Sequence, residues 1–208
     1  MASRNSLIAG LTSVLESPTV YLAYQHLVGG IRARRVSIRE HVRPVSGLTV
    51  LDIGCGPGYA LQCFPNPQYF GFDISPQYIE HANRRFNPPG KFFCQYFDES
   101  TLDWLPRVDT VLLMGVLHHL DDATATALLG LAKRAMKPTG GLYTLDGCYR
   151  QGQSSLDRFF LDKDRGEYIR TEPEYRTLAS GVFQRVEATI RKDLFYIPQA
   201  TLIMECSG

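Results

Sequence analysis

The stretch Val50-Leu51-Asp52-Ile53-Gly54-Cys55-Gly56-Pro57-Gly58 constrains this chain more than any other. An apolar strand that runs into three glycines in five positions must turn sharply. Residues without a Cβ let the backbone take left-handed conformations and let a ligand approach its amides. The spacing is G-x-G-x-G. A dinucleotide fingerprint, G-x-G-x-x-G, would put its third glycine where Tyr59 stands, and a ring there obstructs the close approach of a pyrophosphate. Pro57 suits the first turn of a following helix.

Around this loop, short apolar runs alternate with segments of helical period, which predicts a mostly parallel sheet with crossover helices. The predicted strands are Thr49 to Ile53, Tyr69 to Ile74, Lys91 to Phe97, Val108 to Val116 and Gly141 to Leu145. Ser75-Pro76 starts a helix with Ile79, Ala82 and Phe86 on one face. Asp121-Asp122 starts another, carrying Ala127, Leu128, Leu131, Ala135 and Met136 and stopped by Pro138 and Gly140-Gly141. Val186, Ala188 and Ile190, then Leu202, Met204 and Cys206, alternate with polar or outward residues across Pro198, as two strands in an antiparallel pair do. A short helix is expected near Pro173 to Ser180.

Ahead of the first strand, Leu7, Ile8, Leu11, Val14 and Leu15 recur at helical spacing. Ser17-Pro18 then opens a second helix through Val20, Tyr24, Leu27, Val28 and Ile31. Residues 1–45 are therefore expected as a helical cap. Their basic run, Arg32, Arg34, Arg35, Arg39 and Arg43, reads as a solvated helix face or as a meeting place for an anionic substrate. Residues 147–171 are charged and aperiodic, and are expected to form a substrate-covering insertion above the sheet.

The whole is expected as one domain over 1–208, since 208 residues with 44% hydrophobic side chains suffice for a core without requiring a second. A net charge of +1, from 22 basic and 21 acidic residues, gives no bulk attraction to nucleic acid or anionic lipid. Neither partner is expected. The five cysteines are scattered and never form Cys-x-x-Cys, so no disulfide framework or thiolate zinc site is predicted, and a reducing, cytoplasmic location is expected. No stretch has the length and apolarity of a membrane span.

Asp73 ends the second predicted strand about 20 residues after Asp52, where a carboxylate accepts hydrogen bonds from both hydroxyls of a ribose. It also suits the N-terminus of the helix that follows. With Asp73 in place, the sequence resembles the class I S-adenosylmethionine-dependent methyltransferases of small-molecule type. The resemblance rests on Val50 to Gly58, Asp73, Tyr96-Phe97-Asp98, and Val108-Asp109 through Leu117-His118-His119-Leu120, covering residues 46 to 147 by motif and the terminal strand pair by arrangement.

That resemblance implies an α/β, Rossmann-like sheet of seven strands, mostly parallel with an antiparallel last strand and helices on both faces. It implies S-adenosylmethionine as cofactor, with S-adenosylhomocysteine as product. Gly54 and the backbone near Met114 would hold the methionine amino group, Asp52 would help through water, and Cys55, Gly56 and Gly58 would line the thioether and ribose. Asp73 and Ile74 would meet the ribose and adenine. The adenine amino group would be met by Asp98 or by the pair Tyr96-Phe97, a choice the sequence leaves open.

Transfer from a sulfonium is an in-line displacement that needs position and orientation, and no metal or covalent nucleophile. A hydroxyl acceptor also needs a base. His118 and His119 follow the fourth strand where the methyl group would point, and a histidine titrates near the working pH. Adjacent residues face different ways, so one of the two at most can serve. His119 is preferred, with packing roles for both as the alternative; no third ligand of useful spacing makes the pair a metal site.

Acceptor contacts are expected from Tyr21, Tyr24 and Gln25 on the cap, and from Asp146, Tyr149, Arg165 and Tyr168 on or near the insertion. The expected function is methylation of a small-molecule hydroxyl or amine. The alternatives are a methyltransferase acting on protein or nucleic acid, and a binding module without catalysis. The fourth strand ends in Met114-Gly115-Val116-Leu117, without the Asn/Asp-Pro-Pro-aromatic run that resembles base-amino methylation.

Overall fold

A computed structural model describes residues 18–164 and 166–208. The first predicted helix and Arg165 lie outside the described residues.

The strands are β1 (Thr49–Ile53), β2 (Gln68–Asp73), β3 (Gly90–Cys94), β4 (Val108–Met114), β5 (Met136–Tyr149), the two-residue β6 (Arg170–Thr171), β7 (Arg185–Arg191) and β8 (Thr201–Ser207). The sheet runs β3-β2-β1-β4-β5-β8-β7, with β6 pairing only the far end of β5. β1 to β5 are parallel, and β8 is antiparallel to both β5 and β7. This is the expected mostly parallel seven-stranded sheet with an antiparallel last strand, plus one two-residue addition.

Strand alternation divides the apolar residues between two cores. Leu51, Ile53, Phe70, Phe72, Val111 and Leu113 face one side with Leu129 and Ala132 of helix α5 (Asp122–Ala135) and Tyr175 and Ala179 of α7 (Glu172–Ser180). Val50, Tyr69, Leu112 and Ile203 face the other, against Ala33 of α2 (Gly30–Ser37) and Ile79, Ala82 and Phe86 of α3 (Pro76–Phe86). The remaining helices are α1 (Pro18–Val28), the single turn α4 (Glu99–Leu102) and α6 (Ser155–Asp162). No helix among the described residues is long and apolar enough to cross a membrane.

Four expectations are corrected. The second predicted helix does not continue to Ile31. It breaks at Gly29, left-handed at φ 87, where a Cβ would lie 2.8 Å from the Tyr196 nitrogen that donates to the Val28 carbonyl. α2 follows, then one π turn (Ile38–Val42).

Secondly, Pro57 opens no helix. Gly58 does, at φ 82, and only a 3-10 segment (Tyr59–Cys63) separates the loop from β2. Thirdly, β3 ends at Cys94, so Tyr96 and Phe97 lie in the loop beyond it. Fourthly, β5 takes in Pro138 and Gly140, which read as helix-stopping punctuation, because a register shift beside Val108 absorbs them.

Candidate functional site

The glycine loop is tied to the strand beside it. The amides of Gly54 and Cys55 both donate to the Phe72 carbonyl (2.8 and 3.0 Å), and the Gly56 amide donates to Asp73 Oδ2 at 2.8 Å. Asp73 Oδ1 accepts from the Ser75 amide at 2.8 Å. Asp73 thus spans the loop end of β1 and the start of α3 while each oxygen keeps a lone pair for a further donor.

The glycines do different work. Gly56 sits at φ 54 with no atom within 4 Å of where its Cβ would be, so this buried backbone borders open space. Gly54 has none of that freedom, since a Cβ there would lie 2.6 Å from Val116. Gly58 was expected to line the cofactor, but its missing side chain makes room for the Phe92 ring at 2.8 Å and for Ala82. The Cys55 thiol is buried, and burial pushes it well up, so it remains a packing group.

Asp52 is 2% exposed. Its Oδ2 accepts a short hydrogen bond from the Tyr69 hydroxyl, and its Oδ1 has no partner within the described residues. Burial raises this carboxyl to about 6, against the lowering influence of Tyr69 and Arg34. A buried carboxylate oxygen without a donor is expensive unless a ligand supplies one. Arg34 from α2 reaches the same place and donates to the Met114 carbonyl at 3.1 Å. Arg32 caps the Asp193 and Leu194 carbonyls, so the basic run is only in part a solvated face.

Beyond Asp73, the half-exposed Ile74 and the exposed Tyr96 offer apolar surface. Phe97 turns inward, edge-on to Phe72 at 5.6 Å. Asp98 is the N-cap of α4, accepting from the Thr101 amide and the Ser100 hydroxyl. Phe97 is therefore committed to the interior, while Tyr96 and Asp98 are both exposed, Asp98 with its carboxylate engaged as a cap.

The turn after β4, Leu117–His119, carries the two histidines with their rings against each other. His119 is exposed and its ring lies 4.1 Å from that of His118. His118 is 8% exposed and is held at both nitrogens: Nδ1 lies 2.7 Å from Asp146 Oδ1, and Nε2 lies 3.3 Å from Asp164 Oδ1. The same Asp146 oxygen accepts from the His118 amide at 3.2 Å, while Asp146 Oδ2 is buried without a partner. Burial alone would push His118 down, but the two carboxylates outweigh it and hold the imidazole at about 10. In this arrangement His118 is a cation that donates twice. Held by two carboxylates, His118 is oriented and charged, whereas His119 is exposed beside it.

The segment after α6 is fastened over this turn. The Tyr168 amide donates to the His118 carbonyl at 2.9 Å. A Cβ on Gly166 would lie 2.2 Å from the His118 ring, so nothing larger fits there. The buried Arg170 donates to the Leu117 carbonyl (2.9 Å), the Leu120 carbonyl (2.6 Å) and Asp122 Oδ1 (2.9 Å).

Of the expected acceptor contacts, Asp146 and Tyr168 converge on His118. Tyr24 is half-exposed on α1. The other two described candidates are occupied elsewhere. Gln25 folds back over Gly30, and the Tyr149 hydroxyl donates to Asp162 at 2.6 Å, with burial and then Asp162 pushing it up to about 12. The side chain of Tyr21, like Arg165, lies outside the described residues. The residues not foreseen are Tyr69, Asp164 and Arg170, while Arg34 comes from the basic run of the cap.

Residues 51–142 match a family model described as a methyltransferase domain. The chain is 35% identical over 107 residues to a tRNA U34 carboxymethyltransferase of Pseudoalteromonas translucida (strain TAC 125), covering 49% of this chain and 33% of that protein. It is 36% identical over 102 residues to a ubiquinone biosynthesis O-methyltransferase of Rhodopseudomonas palustris (strain HaA2), covering 46% and 38%. The chain therefore spans little more than a third of these curated relatives. Among solved structures, human N-acetylserotonin methyltransferase in complex with S-adenosylmethionine superposes with a TM-score of 0.64 at 20% identity, covering 95% of this chain and 59% of that one.

Proposed function

We propose that this chain, which carries a methyltransferase domain of the class I S-adenosylmethionine-dependent superfamily, transfers a methyl group to a small-molecule acceptor at the carboxyl ends of β1, β4 and β5. The observation that carries the reading is the cradle between β1 and β2: the open face of Gly56, the bridging Asp73, and the donor-less Oδ1 of the buried Asp52. It adjoins the sheet's switch point between β1 and β4, where ligands of open α/β sheets bind.

S-adenosylmethionine, when bound, supplies a methyl carbon made electrophilic by its sulfonium. The chain's own residues bind and orient. Asp73 accepts from the ribose hydroxyls, Ile74 and Tyr96 cover the adenine, and Asp52 Oδ1 takes a donor through water. Arg34 puts a guanidinium beside the Met114 carbonyl, where a carboxylate and an ammonium of one amino acid would find opposite partners. On the acceptor side Asp146 fixes His118, and Arg170 fixes the turn that carries it.

A macromolecular acceptor is the second reading, supported by the relative that acts on tRNA. The near-zero net charge speaks for a small molecule. Calorimetry with S-adenosylhomocysteine and with NAD tests the cofactor: binding of the first alone is expected, and binding of NAD overturns the reading. A mass-spectrometric screen, seeking a one-methylene gain that requires S-adenosylmethionine, separates small molecules from transfer RNA as acceptors.

A further inference from the structure

His118 Nε2 is the nitrogen left for an acceptor once Asp146 has taken Nδ1, and here it is occupied by the chain itself. Asp164 is not a core residue. It follows the last turn of α6, and its side chain is 32% exposed while that of Asp146 is 1% exposed. Its Oδ1 also accepts from the Gly166 amide at 2.8 Å, which holds the carboxylate in a tight turn against the imidazole. Two carboxylates on one buried imidazole are more than its orientation requires, since Asp146 contacts both the ring and the backbone amide of His118.

We propose that Asp164 occupies the acceptor's subsite, and that the methyl acceptor presents there an anionic oxygen, as a carboxylate or an acidic phenol does, displacing the Asp164 carboxylate from His118. The proposal rests on the reading of His118 as the acceptor-facing group. The groups facing the imidazole are Asp146 from β5, Asp164 from the segment after α6, and the neighbouring ring of His119. With Asp146 in place the ring stays a donor to whatever anion replaces Asp164, which accords with the raised value of about 10. An ammonium acceptor would meet an imidazolium, and like charges at hydrogen-bond distance repel.

The chemistry then balances without a base. The acceptor oxygen, already deprotonated, forms the new bond to the methyl carbon. The carbon–sulfur bond breaks with its electron pair going to sulfur, which leaves a neutral thioether, and no proton moves.

The test is an NMR titration of His118 in isotope-labelled protein saturated with S-adenosylhomocysteine. Asp164→Asn keeps an acceptor for the Gly166 amide while removing the charge. The His118 midpoint is expected to fall by about one unit or more in Asp164→Asn, and benzoate, but not benzylamine, is expected to raise it again. In Asp146→Asn, where Asp164 still fills Nε2, the midpoint falls and benzoate does not restore it. An unchanged midpoint in Asp164→Asn, a response to benzylamine equal to that to benzoate, no response to benzoate, or restoration in Asp146→Asn would each overturn the proposal. Failure of S-adenosylhomocysteine to bind at all would instead refute the methyltransferase reading.

Discussion

Removing the Asp73 carboxylate is the most direct perturbation of the cofactor cradle. In Asp73→Ala, two ribose hydroxyls lose a charged acceptor, and hydrogen bonds to charged groups contribute about 1.5–3 kcal/mol each. The lower bound for the pair is about 3 kcal/mol, or about 100-fold in Kd at roughly 1.4 kcal/mol per tenfold. The amides of Gly56 and Ser75 also lose their partner, so the glycine loop is less well ordered before the ligand arrives, which adds to the loss. Asp73→Asn retains one acceptor oxygen and is expected to fall between, near tenfold by the same arithmetic. The assay is calorimetric titration with S-adenosylhomocysteine, alongside thermal melting to establish that each variant is folded. A folded Asp73→Ala protein that binds as tightly as its parent would refute the reasoning.

Other substitutions separate binding from stability. Gly58→Ala combines a left-handed backbone, about 1–2 kcal/mol, with a clash against Phe92, about 1–3 kcal/mol, so its melting temperature should fall clearly; Gly56→Ala has the left-handed cost without the clash, so it should melt between Gly58→Ala and the parent. Asp52 has a folded value of about 6 against an ordinary 3.8. The folded state therefore binds its proton more tightly, stability falls as pH rises through that window, and the cost of up to about 3 kcal/mol is fully present at neutral pH. Asp52→Asn should melt higher than the parent at pH 7.5, with the gap closing toward pH 4, while binding cofactor more weakly; an equal gap at both pH values would contradict this. Arg34→Met should weaken S-adenosylhomocysteine by about tenfold, one charged hydrogen bond, with little change in melting. Arg170→Met strands the Leu120 carbonyl and leaves that of Leu117 with the Leu120 amide alone, and should cost about 1–3 kcal/mol, measured by denaturant unfolding.

What was legible in the sequence was what local pattern encodes. The positions of the strands through β5 followed from apolar runs and punctuation, and the G-x-G-x-G loop with Asp73 pointed to the cradle because those residues are fixed by backbone conformation and by strand ends. Gly58 shows the limit. Its need for glycine looked the same in sequence as that of Gly56, yet one is imposed by Phe92 from β3 and the other faces open space. Gly29 is similar, since the break there depends on Tyr196, far along the chain. The pairing of His118 was invisible for the same reason: it turns on Asp146 and Asp164, 28 and 46 residues away. Arg170 carried no local signal, because a lone arginine between Ile169 and Thr171 reads as surface until its carbonyl partners are known.

The site's cost to the fold has a regular location. Asp52 on β1 and Asp146 on β5 lie toward the carboxyl ends of parallel strands, each buried and each with one oxygen lacking a donor. Had these been structural polar groups, neighbouring donors would be expected to satisfy both oxygens, as the Thr49 amide and the Lys137 ammonium do for Asp109. Each instead has one oxygen bound by the protein, Tyr69 in one case and His118 in the other, which fixes the rotamer and leaves the second oxygen for a ligand. The glycine loop and the histidine turn are therefore two halves of one arrangement. A carboxylate is anchored at one oxygen by the chain and left unsatisfied at the other, on the side of the sheet where α/β folds take their ligands. The stability forgone at Asp52 is the part of that arrangement that melting as a function of pH can measure without any acceptor in hand.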